Sequence, residues 1–151
     1  MLLTQLLTPE RVRVPLVATD KPGVMRELSE FLVRESGGTV ADVLRAVEDR
    51  EQVLSTGVGF GIAIPHGRSP SMPDLAAVAG RSAEPIAFDA LDGQPVQIFF
   101  MLVGPERCAG QHVKALSRIA RLARSDALRQ QLLAAPSGTE FFQALADAES
   151  R

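Results

Sequence analysis

Val96-Gln97-Ile98-Phe99-Phe100-Met101-Leu102-Val103 is apolar at every position except Gln97. A strand with one wet face alternates polar and apolar residues, and this run offers solvent no face at all. It reads as a central strand covered on both sides and stopped by Gly104-Pro105. Covering both faces takes a layer on each side of the sheet. Helical patterns bracket the strands, so the fold class is α/β, a layered sandwich. Strand order is not legible in the sequence.

Outward from that strand the punctuation is regular. Arg11-Val12-Arg13-Val14 alternates and continues through Leu16-Val17, with Pro15 favouring an edge. Asp20 is placed to cap a helix with Pro22 in its first turn, and Val24, Leu28, Phe31 and Leu32 share its inner face. Gly37-Gly38 ends it. Thr39 is placed to cap a second helix with Val40, Val43, Leu44 and Val47 inward. Leu75 to Gly80 reads as a strand, Pro85 to Phe88 as its irregular continuation, and Leu91-Asp92-Gly93 as a turn. From Gln111 the pattern is helical, with Val113, Leu116, Ala120 and Ala123 on one face and Lys114, Arg118 and Arg121 on another. Ser125-Asp126 opens a further helix that Pro136 closes. Ser137 and Glu140 have capping-box spacing ahead of Phe141 and Phe142.

The bulk properties exclude several classes. A chain of 151 residues, 46% hydrophobic, is expected to form one domain over 1–151 with an adequate core. Its net charge of −2 provides no basic field, and without Trp or Tyr the basic helix face lacks stacking partners for nucleic acid. Cys108 is the single cysteine, which excludes a disulfide within the chain and suits a reducing cytosol. No apolar run approaches the ~18 residues of a membrane span. The apolar Met1 to Leu7 lacks the basic flank and cleavage site of a signal peptide and reads as a turn docked on the core.

Chemistry concentrates in Ser55-Thr56-Gly57-Val58-Gly59-Phe60-Gly61-Ile62-Ala63-Ile64-Pro65-His66-Gly67-Arg68. Alternating glycines lead into a short apolar run that ends at a proline, and one of the chain's two histidines follows at once. The segment reads as a backbone-rich turn feeding a strand that delivers an imidazole. Gly57, Gly59 and Gly61 offer unhindered amides suited to an anion, Ser55 and Thr56 add hydroxyls, and Arg50 and Arg68 flank the segment with charge. An imidazole among such donors suggests phosphohistidine chemistry; the alternative is a satisfied histidine at a strand end. His112 lies near the start of the basic-faced helix, where an N-terminus favours phosphate. Alone it reads more readily as a surface or capping residue; paired with His66 it suggests a shared site.

Other chemistries fit poorly. No His-x-x-x-His or Cys-x-x-Cys exists for zinc, so no metal is expected. The glycine spacing is not Gly-x-Gly-x-x-Gly, and no Gly-Lys-Ser/Thr exists for ATP, so no nucleotide cofactor is expected either. A Cys108–His112 nucleophile pair is conceivable, though the cysteine reads more simply as a small loop residue.

The run from Ser55 to Gly67 resembles the active-site signature of the mannitol/fructose-type enzyme IIA domains of the bacterial phosphotransferase system, a group that includes the stand-alone nitrogen-regulatory IIA proteins. Similarity extends to Arg50-Glu51, the Asp92-Gly93 turn, Val96 to Val103 with Pro105, and His112 with Leu116 and Leu122. The resemblance implies an α/β sandwich with one mixed β-sheet flanked by helices on both faces. It implies that His66 accepts a phosphoryl group from the histidine phosphocarrier protein, that His112 assists, and that Arg50 lies near the group. Ser55, Thr56, Gly57, Gly59 and Gly61 are expected around the phosphate. The expected location is cytoplasmic.

Two departures stand out. Phe60 occupies a position where the family commonly has Asn, which puts a polar contact to the site or partner in question. The chain ends soon after the IIA-like region, so the phosphoryl group is expected to pass to a separate IIB protein or to remain as a signal for a regulatory target. Regulation is the favoured expectation. Sugar transport and a non-transferring anion-binding module stand as alternatives.

Overall fold

The computed structural model describes residues 1–150. In chain order these form β1 (Val12–Leu16), α1 (Lys21–Ser36), α2 (Val40–Val53), β2 (Gly57–Gly59), β3 (Ile62–Ala63), β4 (His66–Arg68), β5 (Ala76–Ile86), β6 (Val96–Gly104), α3 (Ala109–Leu122), α4 (Asp126–Ala134) and α5 (Gly138–Glu149). The strands make one sheet in the order β1-β5-β6-β3-β2, with β4 also paired to β6. It is mixed: β5 is antiparallel to β6, whereas β3 and β4 run parallel to β6 and β1 parallel to β5. None of the described helices is long and apolar enough to cross a membrane.

β6 is covered on both faces, as its composition demands. Phe99, Met101 and Val103 pack into a core with α1 and α2, while Ile98, Phe100 and Leu102 pack into a second core with α3, α4 and α5. Each such side chain contributes about 1.5–3 kcal/mol on burial, so this strand anchors both layers. Leu3 and Leu7 are buried in the second core, which docks the apolar N-terminus as a short 3₁₀ turn. The buried Glu149 carboxylate accepts from the Leu3 and Thr4 amides at 2.7 and 3.0 Å and pairs with Arg118 at 3.1 Å. One side chain thus ties the N-terminal turn to α3 and α5.

Asp20 caps α1 by accepting from the Gly23 amide at 2.8 Å, and Ser125 caps α4 through the Leu128 amide. Thr39 and Ser137 hold the cap positions of α2 and α5 but make no cap bond through their side chains. The Ser137 hydroxyl donates to the Glu140 carboxylate instead, so the expected capping box is not formed. The inner face of α3 is turned one residue from the expected one. His112, Ala115, Ile119 and Ala123 are buried, whereas Val113 and Ala120 are exposed. The true stripe contains a histidine, which a count of apolar residues leaves out.

The glycine segment is a hairpin. β2 and β3 are antiparallel and joined by Phe60-Gly61, whose φ values are +61° and +73°. Positive φ at both central residues is the signature of a type I′ turn, for which Asn-Gly is the preferred pair. The family's usual Asn therefore has a backbone explanation, and Phe60 meets the same demand at a steric cost. An aromatic residue in this region costs about 1–2 kcal/mol. The Arg129 guanidinium lies 4.6 Å over the Phe60 ring and returns about 0.5–1 kcal/mol at so exposed a place. The steric term wins. Phe60→Asn is expected to raise stability by up to about 1 kcal/mol, read from urea unfolding; a loss of stability contradicts this account.

Candidate active site

β3 and β4 are one line of chain broken at Ile64-Pro65. Ile62 stands opposite Ile98 and His66 opposite Leu102, so the register along β6 survives the break. Pro65 has no amide to offer, but its carbonyl still accepts from the Leu102 amide at 3.0 Å. The imidazole is thus delivered immediately past a fixed interruption.

Alternation along β4 sorts its side chains. Gly67 faces α2, and a Cβ there would sit 2.9 Å from the Ala46 carbonyl carbon and oxygen. The missing side chain lets α2 close onto the strand and brings Arg50 beside His66. His66 and Arg68 share the other face, toward α3. Ala46, Arg50, His66, Gly67, Arg68, His112, Val113 and Leu116 line a cleft of about 280 Å³ between the two helices.

The two imidazoles, far apart in sequence, meet edge to face with ring centroids 5.6 Å apart. His66 Nδ1 lies 2.7 Å from the Ile64 carbonyl oxygen. A carbonyl only accepts, so this contact assigns the proton to Nδ1 and leaves Nε2 with a bare lone pair. Burial lowers the His66 pKa from its ordinary value; the Ile64 carbonyl and Glu51 oppose that shift, while Arg50 and Arg68 add to it. Burial also lowers the His112 pKa, to about 4, helped by His66 and Arg68. Both rings are therefore neutral at pH 7. Arg50 spends one donor on the Leu54 carbonyl at 2.7 Å, and Arg68 pairs with Glu106 at 2.9 Å. Neutral rings beside two guanidiniums make a cleft suited to an anion and a nitrogen nucleophile.

The structure brings His66, His112 and Arg50 together, but it does not bring the glycine segment to them. Ser55, Thr56, Gly57, Gly59 and Gly61 are absent from the cleft lining. Ser55 donates to the Phe88 carbonyl, Thr56 donates to Glu51, and the glycines are occupied in the hairpin and its turn. Cys108 is buried and does not line the cleft either. Lys114 and Arg121 are exposed. Arg68 lines the cleft as Arg50 does, and strand alternation two residues past His66 is the signal that finds it.

Comparison with known proteins agrees with this geometry. Residues 5–148 match the family model described as "Phosphoenolpyruvate-dependent sugar phosphotransferase system, EIIA 2". The chain belongs to that family. It is 34% identical over 146 residues to a nitrogen regulatory protein of Bradyrhizobium diazoefficiens, covering 97% of this chain and 95% of that protein. It is 35% identical over 140 residues to a fructose-specific EIIABC component of Bacillus subtilis, covering 91% of this chain and 22% of that longer protein. The crystal structure of the nitrogen regulatory protein IIA-Ntr from Neisseria meningitidis superposes with a TM-score of 0.88 at 33% identity, covering 95% of this chain and 98% of that one.

Gly67→Ala places a methyl group against the Ala46 backbone, so it is expected to cost about 1–3 kcal/mol in urea unfolding as α2 is pushed outward. An unchanged midpoint contradicts the close approach. For His112, an unfolded chain takes up the proton near pH 6.5 and the folded one only near 4. Between those values the unfolded state binds more protons, so this contribution to stability is full above about pH 6.5 and is lost toward pH 4. The loss is on the order of 3 kcal/mol. His112→Asn is expected to flatten the fall of the urea midpoint across that range, and equal slopes for both proteins contradict a buried neutral ring.

Proposed function

We propose that this protein is a phosphoryl carrier of the phosphotransferase system, with His66 Nε2 as acceptor and the histidine phosphocarrier protein as donor. The observation that carries the reading is the Nδ1 bond to the Ile64 carbonyl, which leaves Nε2 as the nucleophile in a cleft lined by Arg50, Arg68 and His112. The donor's N–P bond breaks as the bond to Nε2 forms, and His66 keeps its Nδ1 proton throughout. Little covalent chemistry is asked of the surroundings. Alignment and charge balance do most of the work, and the two guanidiniums supply the balance. Neutral His112 assists at the edge of the transferring group. Of the residues expected around the phosphate, Thr56 supports the acceptor from behind, its carbonyl accepting from the Ile64 amide. With these partners the reaction belongs in the cytoplasm, carried out by one EIIA domain spanning residues 1–151.

The favoured role is regulatory. Phosphorylation adds roughly −1.5 to −2 charges at one spot, enough to change which surface a target protein accepts. The similarity to nitrogen regulatory proteins over nearly the whole chain supports this. The similarity to a fructose-specific component supports the second reading, in which the phosphoryl group passes to a separate IIB protein.

Incubation with phosphoenolpyruvate and the phosphocarrier system is expected to add one acid-labile phosphoryl group. His66→Ala is expected to abolish the addition, and Arg50→Ala to slow it about 100-fold. If the carrier becomes charged while the wild-type protein stays unmodified, the proposal is wrong and an anion-binding module remains. Rapid discharge to a sugar-specific IIB identifies transport. Altered binding of a regulator without such discharge identifies a switch.

A further inference from the structure

Glu51 follows Arg50 on the last turn of α2, and its carboxylate is only 6% exposed. A buried carboxylate is costly unless it is held, and a buried ion pair by itself is weak grounds for a stability role. Glu51 is held on two sides. Its Oε1 accepts from the Thr56 amide at 2.9 Å and from the Thr56 hydroxyl at 2.5 Å. Its Oε2 lies 2.9 Å from the Lys21 ammonium without hydrogen-bond alignment, so Lys21 acts there as a neighbouring charge. Burial pushes its pKa up, but the Thr56 hydroxyl and amide, with the nearby Lys21 ammonium and Ser55 hydroxyl, outweigh that, and the net shift is downward. Glu51 is therefore ionised at neutral pH.

The bonds lead onward to the acceptor ring. The Thr56 carbonyl accepts from the Ile64 amide at 2.9 Å. The Ile64 carbonyl accepts from His66 Nδ1 at 2.7 Å. Pro65, between them, has no amide with which to add a further anchor. The orientation of the Ile64 carbonyl thus depends on Thr56, and Thr56 depends on a carboxylate that never enters the cleft.

We propose that Glu51 is a positioning residue for His66: through Thr56 and Ile64 it holds the acceptor carbonyl that fixes the imidazole as the Nδ1–H tautomer with Nε2 bare. This deepens the phosphoryl-carrier reading and rests on it for its catalytic consequence. The tautomer itself is a property of the resting protein.

The test is long-range ¹H–¹⁵N correlation of the histidine rings in the full-length unphosphorylated protein, with transfer kinetics from the phosphorylated phosphocarrier protein alongside. Wild type is expected to show Nδ1 protonated on His66. Glu51→Ala is expected to mix the tautomers and to lower kcat at least about tenfold with KM unchanged, because a misaligned nucleophile loses rate without losing docking. Thr56→Val deletes one of the two bonds and is expected to fall between, and Thr56→Ser to restore wild-type behaviour. If Glu51→Ala does not fold, the Thr56 pair decides. A folded Glu51→Ala or Thr56→Val protein with the wild-type tautomer and kcat overturns the proposal. A wild-type protein that shows the tautomer effect but accepts no phosphoryl group overturns the carrier reading and leaves the positioning role intact.

Discussion

The site depends on one bond, the 2.7 Å contact between the His66 ring and the carbonyl two residues before it. Among the described residues it is the hydrogen bond that distinguishes the two ring nitrogens. The bond exists because the strand is interrupted: Ile62 and His66 keep a single register on β6, while Ile64 between them turns its amide to Thr56 and its carbonyl to the ring. An unbroken strand would spend that carbonyl on a neighbouring chain. Pro65 is therefore more than a terminator. It permits a sheet strand to retain its pairing while releasing a backbone acceptor to a side chain.

Charge in the cleft is arranged so that the His66 ring stays neutral beside cations. A histidine free in water would be partly protonated near neutrality, and a protonated ring has no lone pair to attack with. Burial is the largest effect on both rings, and the guanidiniums act in the same direction. The guanidiniums that help burial keep His66 neutral also favour an anion in the cleft. One electrostatic arrangement thus suits both a neutral ring and an anion beside it, with the proton at Nδ1 held by the Ile64 carbonyl.

Much of the fold was legible because β6 is apolar on both faces and because Asp20, Gly37 and Ser125 carry local punctuation strong enough to stand alone. The face of α3 was misread by one residue because its inward stripe includes His112, a residue type that pattern counting assigns to water. The cleft was legible where residue type and chemistry coincide: His66, His112 and Arg50 line it together. At the glycines two readings compete. A free amide suits an anion, but a β-turn also demands glycine, and sequence does not distinguish the two uses. Gly57, Gly59 and Gly61 serve the hairpin. The glycine that shapes the cleft is Gly67, whose importance appears only when Ala46 is seen against it.

Two ion pairs flank the site, and burial separates their roles. Arg68 and Glu106 are 43% and 78% exposed, and a pair in that setting is worth about 0–1 kcal/mol. A charge-assisted bond to an anion in the half-enclosed cleft is worth about 1.5–3 kcal/mol, so Glu106 does not hold Arg68 back when one arrives. Glu51 is the opposite case. Its charge is buried, its partners are fixed, and releasing it would leave an unpaired carboxylate in the interior. Adaptable charge therefore lies at the mouth of the cleft, open to an anion, and fixed charge lies behind the ring, where any movement would be felt at Nε2.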